Sequence, residues 1–509
     1  MAPSGVVFYL LLSITLAWIR LCYPSQVHVY MGSKGSQSSD DVLKQNHQIL
    51  TAVHGGRSMP GVVSVFPNLK RSLHTTHSWD FIGLGTNEEM EIPGFSTKNQ
   101  ENVIIGFIDT GSPSFSDVGM PEVPSRWKGQ CQVGESFTQS SCNKKVIGAR
   151  YYLSGYEAEE RSHGDYMNAD KAANFKSPRD SSGHGSHTAS IAAGRYVSDM
   201  NYNGLGAGGA RGGAPMSRIS VYKTCWDSGC YDADLLAAFD DAIRDGVDIL
   251  SASLGPNYPE ADYFNDAISI GSFHATSHGI LVVSSAGNVG SRGSATNLAP
   301  WMLTVGASST DREYTSSIVL GNGRELMGES LSSFKMNKSA RIISASEVNG
   351  GYFTPYQSSF CLDSSLNRTK ARGKILICRH SGSAEEPRLE KSLVVKKAGG
   401  LGMVMIDEAE NDVAIPFAIP TATVRKEIGN KIFSYVNHTR KPSTLILPVE
   451  TVLGSRPAPR VAAFSSKGPN SLTAEVLKVG SCVFRLKNVV EPEKQIYIYL
   501  FCVCVSYLL

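Results

Sequence analysis

The sequence predicts an α/β fold, a doubly wound parallel sheet with a β-rich insert, and three observations predict it. Apolar strands alternate with helical segments from Asn102 to Val305, as a parallel sheet requires. Asp109, Ser251 and Asn288 lie at the ends of three such strands, where sheets of this kind gather functional groups. From about Phe334 to Glu450 the alternation gives way to short strands and Gly-rich connectors, marking a separate, inserted domain. A chain of 509 residues with 41% hydrophobic content can bury more than one core. Its net charge of +2, without any run of five Lys or Arg, argues against a nucleic-acid partner.

Residues 1–25 read as a signal peptide: the apolar stretch Val6–Trp18 is too short to span a bilayer and gives way to polar residues at Ser25-Gln26. Val27–Met31 and Pro60–Phe66 read as two strands within a segment, 26–77, too small to fold alone. Val103–Ile108 is a wholly apolar strand, a small-residue helix starts at His184, and Arg218–Tyr222 is a further strand. Asp232–Asp245 is an amphipathic helix whose Leu235, Leu236, Phe239 and Ile243 share a face and whose end is marked by Gly246. Val247–Ser253 follows as a strand, Ala261–His278 as a helix stopped at Gly279, and Ile280–Ser284 and Met302–Val305 as two more strands. Lys374–Cys378 and Met403–Ile406 are strands of the insert, after which Arg460–Asn470 returns to a strand and a Gly-Pro turn. The hydrophobic tail, residues 479–509, fits nothing before it; the apolar run that begins at Ile496, about 15 residues, is short for a membrane span, so a membrane partner is not expected and a hydrophobic anchor is the lesser alternative.

Cysteine usage supports export. Cys131 with Cys142, Cys225 with Cys230, and Cys361 with Cys378 sit in short loops suited to local disulfides, although spacing alone leaves connectivity open. Sequons at Asn337, Asn367 and Asn437 are expected on surface loops of a secreted glycoprotein.

Hydrolysing a peptide with a serine needs a hydroxyl, an imidazole to take its proton, a carboxylate to orient that imidazole, and donors for the oxyanion. Asp109 is a candidate orienter, or else a strand-end residue capping a turn. His184, between Gly183 and Gly185, has the room a reactive imidazole needs; with His187 it could instead form half of a metal pair, but no third ligand has suitable spacing. Asn288 can donate its amide to an oxyanion or serve as a turn residue, and Ser251 to Gly255 can border a substrate or simply end a strand. Gly204–Gly209 matches G-x-G-x-x-G, but no apolar strand precedes it and no helix follows, so no dinucleotide is expected.

Together these segments resemble the subtilisin-like serine proteases, and most closely the plant subtilases. Arg211–Pro215, Val221–Trp226, Leu235–Gly246, Asn297–Val305 and Phe464–Asn470 look like that branch's runs, and the resemblance covers roughly Val27 to Lys478. It implies Asp109 and His184 as triad acid and base and Asn288 as oxyanion donor. It also implies that Ser251, Ser253, Leu254 and Gly255 border the substrate. Residues 26–77 become a shortened inhibitory propeptide, with the mature enzyme starting near His74–Trp79. Residues 78–333 and 451–478 become the catalytic domain, and 334–450 a protease-associated insert. Peptide or protein substrates and the chain's own propeptide are the implied partners, no cofactor is required, no metal site is marked, and the apoplast or cell wall is the implied location.

The sequence departs from the family at three places. Ser186 stands where Thr is usual, the propeptide segment is internally shortened after Arg57, and no Gly-Thr-Ser nucleophile turn follows Lys478, where Val479-Gly480-Ser481-Cys482 stands instead. The chain as written is therefore expected to be inactive. The rival expectation is a non-catalytic secreted glycoprotein that binds peptides or partners through the insert.

Overall fold

The computed structural model describes residues 26–30, 64–68, 97–109, 115–157, 175–226, 229–255, 260, 262–381, 387–408 and 414–476. The expected signal peptide, the hydrophobic tail and most of the propeptide segment lie outside the described residues. The chain divides into two units, Met1–Ser72 and Leu73–Leu509. In the first, β1 (Gln26–Tyr30) and β2 (Ser64–Asn68) pair antiparallel, with His28 opposite Phe66.

The second unit begins with β3 (Ile104–Asp109) and β4 (Val146–Tyr151), followed by helix α1 (His184–Ala193). A hairpin of β5 (Val197–Tyr202) and β6 (Leu205–Ala210) follows, turning at Asn203 and Gly204, both left-handed at φ 49° and 85°. Asn-Gly suits such a two-residue turn, and the Gly-rich run thus becomes a hairpin strand. Next come β7 (Arg218–Lys223) and a short hairpin of β8 (Cys225–Trp226) with β9 (Gly229–Cys230). They precede helix α2 (Asp232–Asp245), β10 (Ile249–Ala252), helix α3 (Ala267–Ser277), β11 (Leu281–Ser285) and β12 (Leu303–Val305).

Six of these strands form a parallel sheet in the order β12-β11-β10-β3-β7-β4. Its central strand alternates: Ile104 and Ile108 join one core with Leu250, Val282 and the inner faces of α2 and α3, while Ile105 and Phe107 join another with Ala189, Ala192 and Ala193 of α1. That period of two, with both faces apolar, is the signature of a parallel sheet covered on both sides. Helix α2 buries Leu235, Ala238, Phe239 and Ala242 and ends at a left-handed Gly246; Leu236 and Ile243, expected on the same face, are half-buried at its margin. Helix α3 starts later than residue 261 because the Asp266 carboxylate caps it, accepting from the Ser269 amide at 2.7 Å.

The second sheet runs through β13 (Glu313–Leu320), β14 (Glu325–Glu329), β15 (Ala340–Ser344), β16 (Ile375–His380), β17 (Gly402–Asp407), β18 (Thr421–Arg425), β19 (Ser443–Ile446) and β20 (Glu450–Val452). Helix α4 (Arg388–Lys397) connects β16 to β17 and helix α5 (Lys426–His438) connects β18 to β19. β13 pairs with β14 on one edge and with β19 and β20 on the other, closing the order β14-β18-β17-β16-β15-β19-β13 into a ring. Residues 313–329 therefore belong to this sheet, and the boundary expected at residue 334 falls after its first two strands. Beyond it the chain returns to the first sheet through isolated bridges, Ser308 with Val461 and Arg292 with Lys467, rather than through the strand expected over Arg460–Asn470.

Disulfides join Cys131 to Cys142, Cys225 to Cys230 and Cys361 to Cys378. Asn337 and Asn437 are exposed, while half-buried Asn367 caps a short helix by accepting from the Lys370 amide at 3.1 Å.

Candidate active site

Because the six strands run parallel, their carboxyl ends share one edge. β3 ends there at Asp109, whose Cα partner on β7 is Lys223, although the Asp109 side chain lies outside the described residues. β10 delivers Ser253 and Leu254, half-buried, and Gly255, exposed; Ser251 itself lies within the ladder, only 6% exposed, opposite Phe107 and Val283. β11 delivers Ala286, Gly287 and exposed Asn288. His184 opens α1, which packs over β3 and β7 through its small residues and leaves the imidazole exposed.

The turn before His184 is built around Asp180. Its carboxylate accepts from the amides of Ser182 at 3.0 Å, Gly183 at 2.7 Å and Ser186 at 2.9 Å, and from the Ser186 hydroxyl. A carboxylate at a helix start satisfies orphan amides and matches the dipole. Gly183 adopts φ 87°, a conformation that glycine takes without strain. Ser186, in place of the usual Thr, keeps the hydroxyl that this cap uses. At the other end of α1, the amides of Gly212, Gly213 and Ala214 donate to the carbonyls of Gly194, Ile191 and Ala192 at 2.8, 3.0 and 2.8 Å.

The loop carrying Asp180 is tied to the sheet by Lys223. Fully buried at the end of β7, Lys223 donates from Nζ to the carbonyls of Phe175 at 3.2 Å and Arg179 at 2.9 Å, and its ammonium lies 4.1 Å from the Trp226 ring centroid. Burial pushes its pKa from 10.5 down to about 8, against the opposing pull of the Asp180 charge. Between those two values the unfolded chain holds a proton that the folded chain has released, so this site's contribution to stability rises with pH across that window. Thermal midpoints of the chain and of Lys223→Met at pH 7 and pH 10 are expected to differ more in favour of the lysine at pH 10; a pH-independent difference would contradict the burial argument.

The Asn288 turn is held from two sides. Gly287, at φ 93°, accepts from the Ser466 amide at 3.0 Å, and the Ser466 hydroxyl accepts from the Val289 amide at 3.1 Å. From within the sheet, Ala286 donates to Val305 at 2.8 Å and accepts from Thr296 at 3.0 Å. Sequence reasoning assigned no role to Asp180, Lys223, Asn297 or Ser466. An Asp three residues before Gly183 was a readable capping signal, whereas the other three act across long separations.

The parallel-sheet edge thus brings Asp109, Ser253–Gly255 and Asn288 to one border, with His184 on the helix that covers β3 and β7. The model of the subtilase family of peptidases matches residues 100–497. The chain is 42% identical over 501 residues to the subtilisin-like serine-protease S of Lotus japonicus, covering 92% of this chain and 65% of that protein. It is 41% identical over 433 residues to the CO(2)-response secreted protease of Arabidopsis thaliana, covering 82% and 54%. The chain thus spans between half and two thirds of the length of these curated relatives. Among solved structures, the psychrophilic subtilisin-like protease Apa1 from Pseudoalteromonas sp. AS-11 is similar with a TM-score of 0.31 and 15% identity, over 73% of this chain and 80% of that one.

Proposed function

The chain belongs to the subtilase family, and we propose that it has the architecture of a secreted plant serine endopeptidase, cleaving peptide bonds through an acyl-enzyme when a nucleophile is supplied. His184 is the general base, Asp109 orients it, the Asn288 carboxamide donates to the oxyanion, and Ser253–Gly255 lies along the substrate. The observation that carries this reading is the delivery of two strand ends and a strand-end Asp to one sheet edge, with an exposed imidazole at the start of the covering helix. Residues 26–77 act as the propeptide, the ring-closed second sheet is the protease-associated insert, and the disulfides and sequons belong to an extracellular glycoprotein.

The 509 residues contain no Gly-Thr-Ser, the turn that would carry the nucleophile in this reading. Removing a triad serine leaves rate enhancements on the order of 10³–10⁴ over water, from the oxyanion hole and binding. A chain of these residues is accordingly expected to take no label from a fluorophosphonate probe, which needs an activated serine. Peptide mapping of the endogenous protein completes the test. A product with peptides running past Lys478 into a Gly-Thr-Ser segment is expected to label, whereas such a product failing to label would overturn the endopeptidase reading. The rival role, peptide binding without cleavage, predicts that the same mapping finds a stable secreted product whose last peptide ends at Leu509.

A further inference from the structure

Asn297 carries two costs. Its backbone sits at φ 57°, left-handed for a residue that is not glycine, and its side-chain Oδ1 is buried without a hydrogen-bond partner. The residue is fully buried and anchored through its own carbonyl, which accepts from the Thr304 hydroxyl at 2.5 Å. What it gains is specific. Its Nδ2 donates to the carbonyl of Leu254 at 2.9 Å and to the carbonyl of Ser285 at 2.7 Å. Leu254 lies two residues past the end of β10 and Ser285 is the last residue of β11, both just beyond the final pairing of their ladder, Ala252 with Ser284. One carboxamide therefore replaces the ladder just beyond its end and sets how far the two segments part.

Neighbouring residues follow the same bridge. A Cβ on Gly255 would come within 2.9 Å of the Asn297 Nδ2, so the absence of a side chain there lets the carboxamide reach across. Thr296, the preceding residue, holds Ala286 by its amide at 3.0 Å and by its hydroxyl at 3.3 Å. Strain and unpaired polar atoms that persist in a fold mark places where geometry matters more than local stability.

We propose that Asn297 is a positioning residue for peptide binding, its carboxamide fixing the separation of Ser253–Gly255 from Ala286–Asn288. The proposal rests on the reading that these two segments border a peptide. It does not need the nucleophile.

The test uses the full chain and two variants. Asn297→Gly keeps the left-handed backbone at no strain and removes the carboxamide; Asn297→Asp keeps the shape but turns a carboxylate oxygen toward two carbonyls. Ser316→Ala, which removes a hydroxyl donating to Leu447 in the second sheet, is the control for general loosening. Hydrogen exchange is followed at Leu254–Gly255 and Ala286–Val289, and binding of a fluorescein-labelled casein peptide pool by anisotropy. Asn297→Gly is expected to speed exchange at both segments together, tenfold or more, and to weaken peptide binding tenfold, with Asn297→Asp more severe and Ser316→Ala without effect at either. Faster exchange at one segment only, faster exchange spread over the whole sheet, or unchanged binding despite coupled loosening would each overturn the positioning role. A parent chain that binds none of the peptides overturns the border reading itself, and the exchange data still decide whether the clamp exists.

Discussion

Replacing Arg218 by methionine is expected to destabilise the fold by about 3–5 kcal/mol, one of the two largest single-residue effects foreseen for this chain. Arg218 opens β7 and is fully buried. Its guanidinium donates to the carbonyls of Glu101 at 3.0 Å, Pro121 at 3.0 Å, Glu122 at 3.1 Å and Lys144. These acceptors precede β3 and β4, the strands on either side of β7, so one side chain staples the amino edge of three strands. Burial pulls its pKa down, but an arginine stays charged at any ordinary pH. Methionine fills much of the volume and leaves four carbonyls without that donor, whereas Arg218→Lys keeps the charge but cannot present the planar fork. Chemical denaturation should therefore rank the native chain first, lysine second and methionine last. Equal midpoints for all three would show that the staple is dispensable.

Gly212→Ala is expected to be of comparable severity, about 3 kcal/mol or more. A Cβ at this position would stand 2.4 Å from the Gly194 amide nitrogen, 2.7 Å from that of Ala193 and 2.7 Å from the Ser190 carbonyl oxygen. All three are backbone atoms at the end of α1, so no side chain can swing aside. Relief requires lifting residues 212–214 away from the helix, which breaks the amide bonds that finish it. Since α1 also carries His184 at its other end, the substitution is expected to lower the thermal midpoint and to broaden the His184 imidazole resonance together. An unshifted midpoint would show that the close approach can relax.

The course of the first sheet was legible where a period and a stop signal agreed. Helix α2 was readable to the residue from its repeat and Gly246, while α3, expected from Ala261, starts later because Asp262 holds a turn by accepting from the Phe264 amide and the Asn265 carboxamide, and Asp266 accepts from the Ser269 backbone amide. Strand β4 went unread: its six residues follow Lys144-Lys145 and contain Gly148, and they become a strand by lying beside β7. The hairpin of β5 and β6 carried an Asn-Gly turn signal, but its strands alternate poorly and its glycines drew attention to a nucleotide motif. At the site, Asp109, His184 and Asn288 stood out because each is a chemistry-bearing residue beside glycine or an apolar strand. Lys223, Asn297 and Ser466 did not, because their hydrogen bonds reach 44, 43 and 177 residues along the chain. No local pattern encodes a partner that distant.

That last separation also sets a schedule for synthesis. Ser466, which locks the turn bearing Asn288, lies 177 residues from Val289, and the whole second sheet is translated between them. At the ribosome's pace of about 5–20 residues per second, the Asn288 turn emerges roughly 9–35 s before its lock does. Over that interval every strand of the second sheet becomes available to pair, while the Asn288 turn waits on a nascent chain still being made.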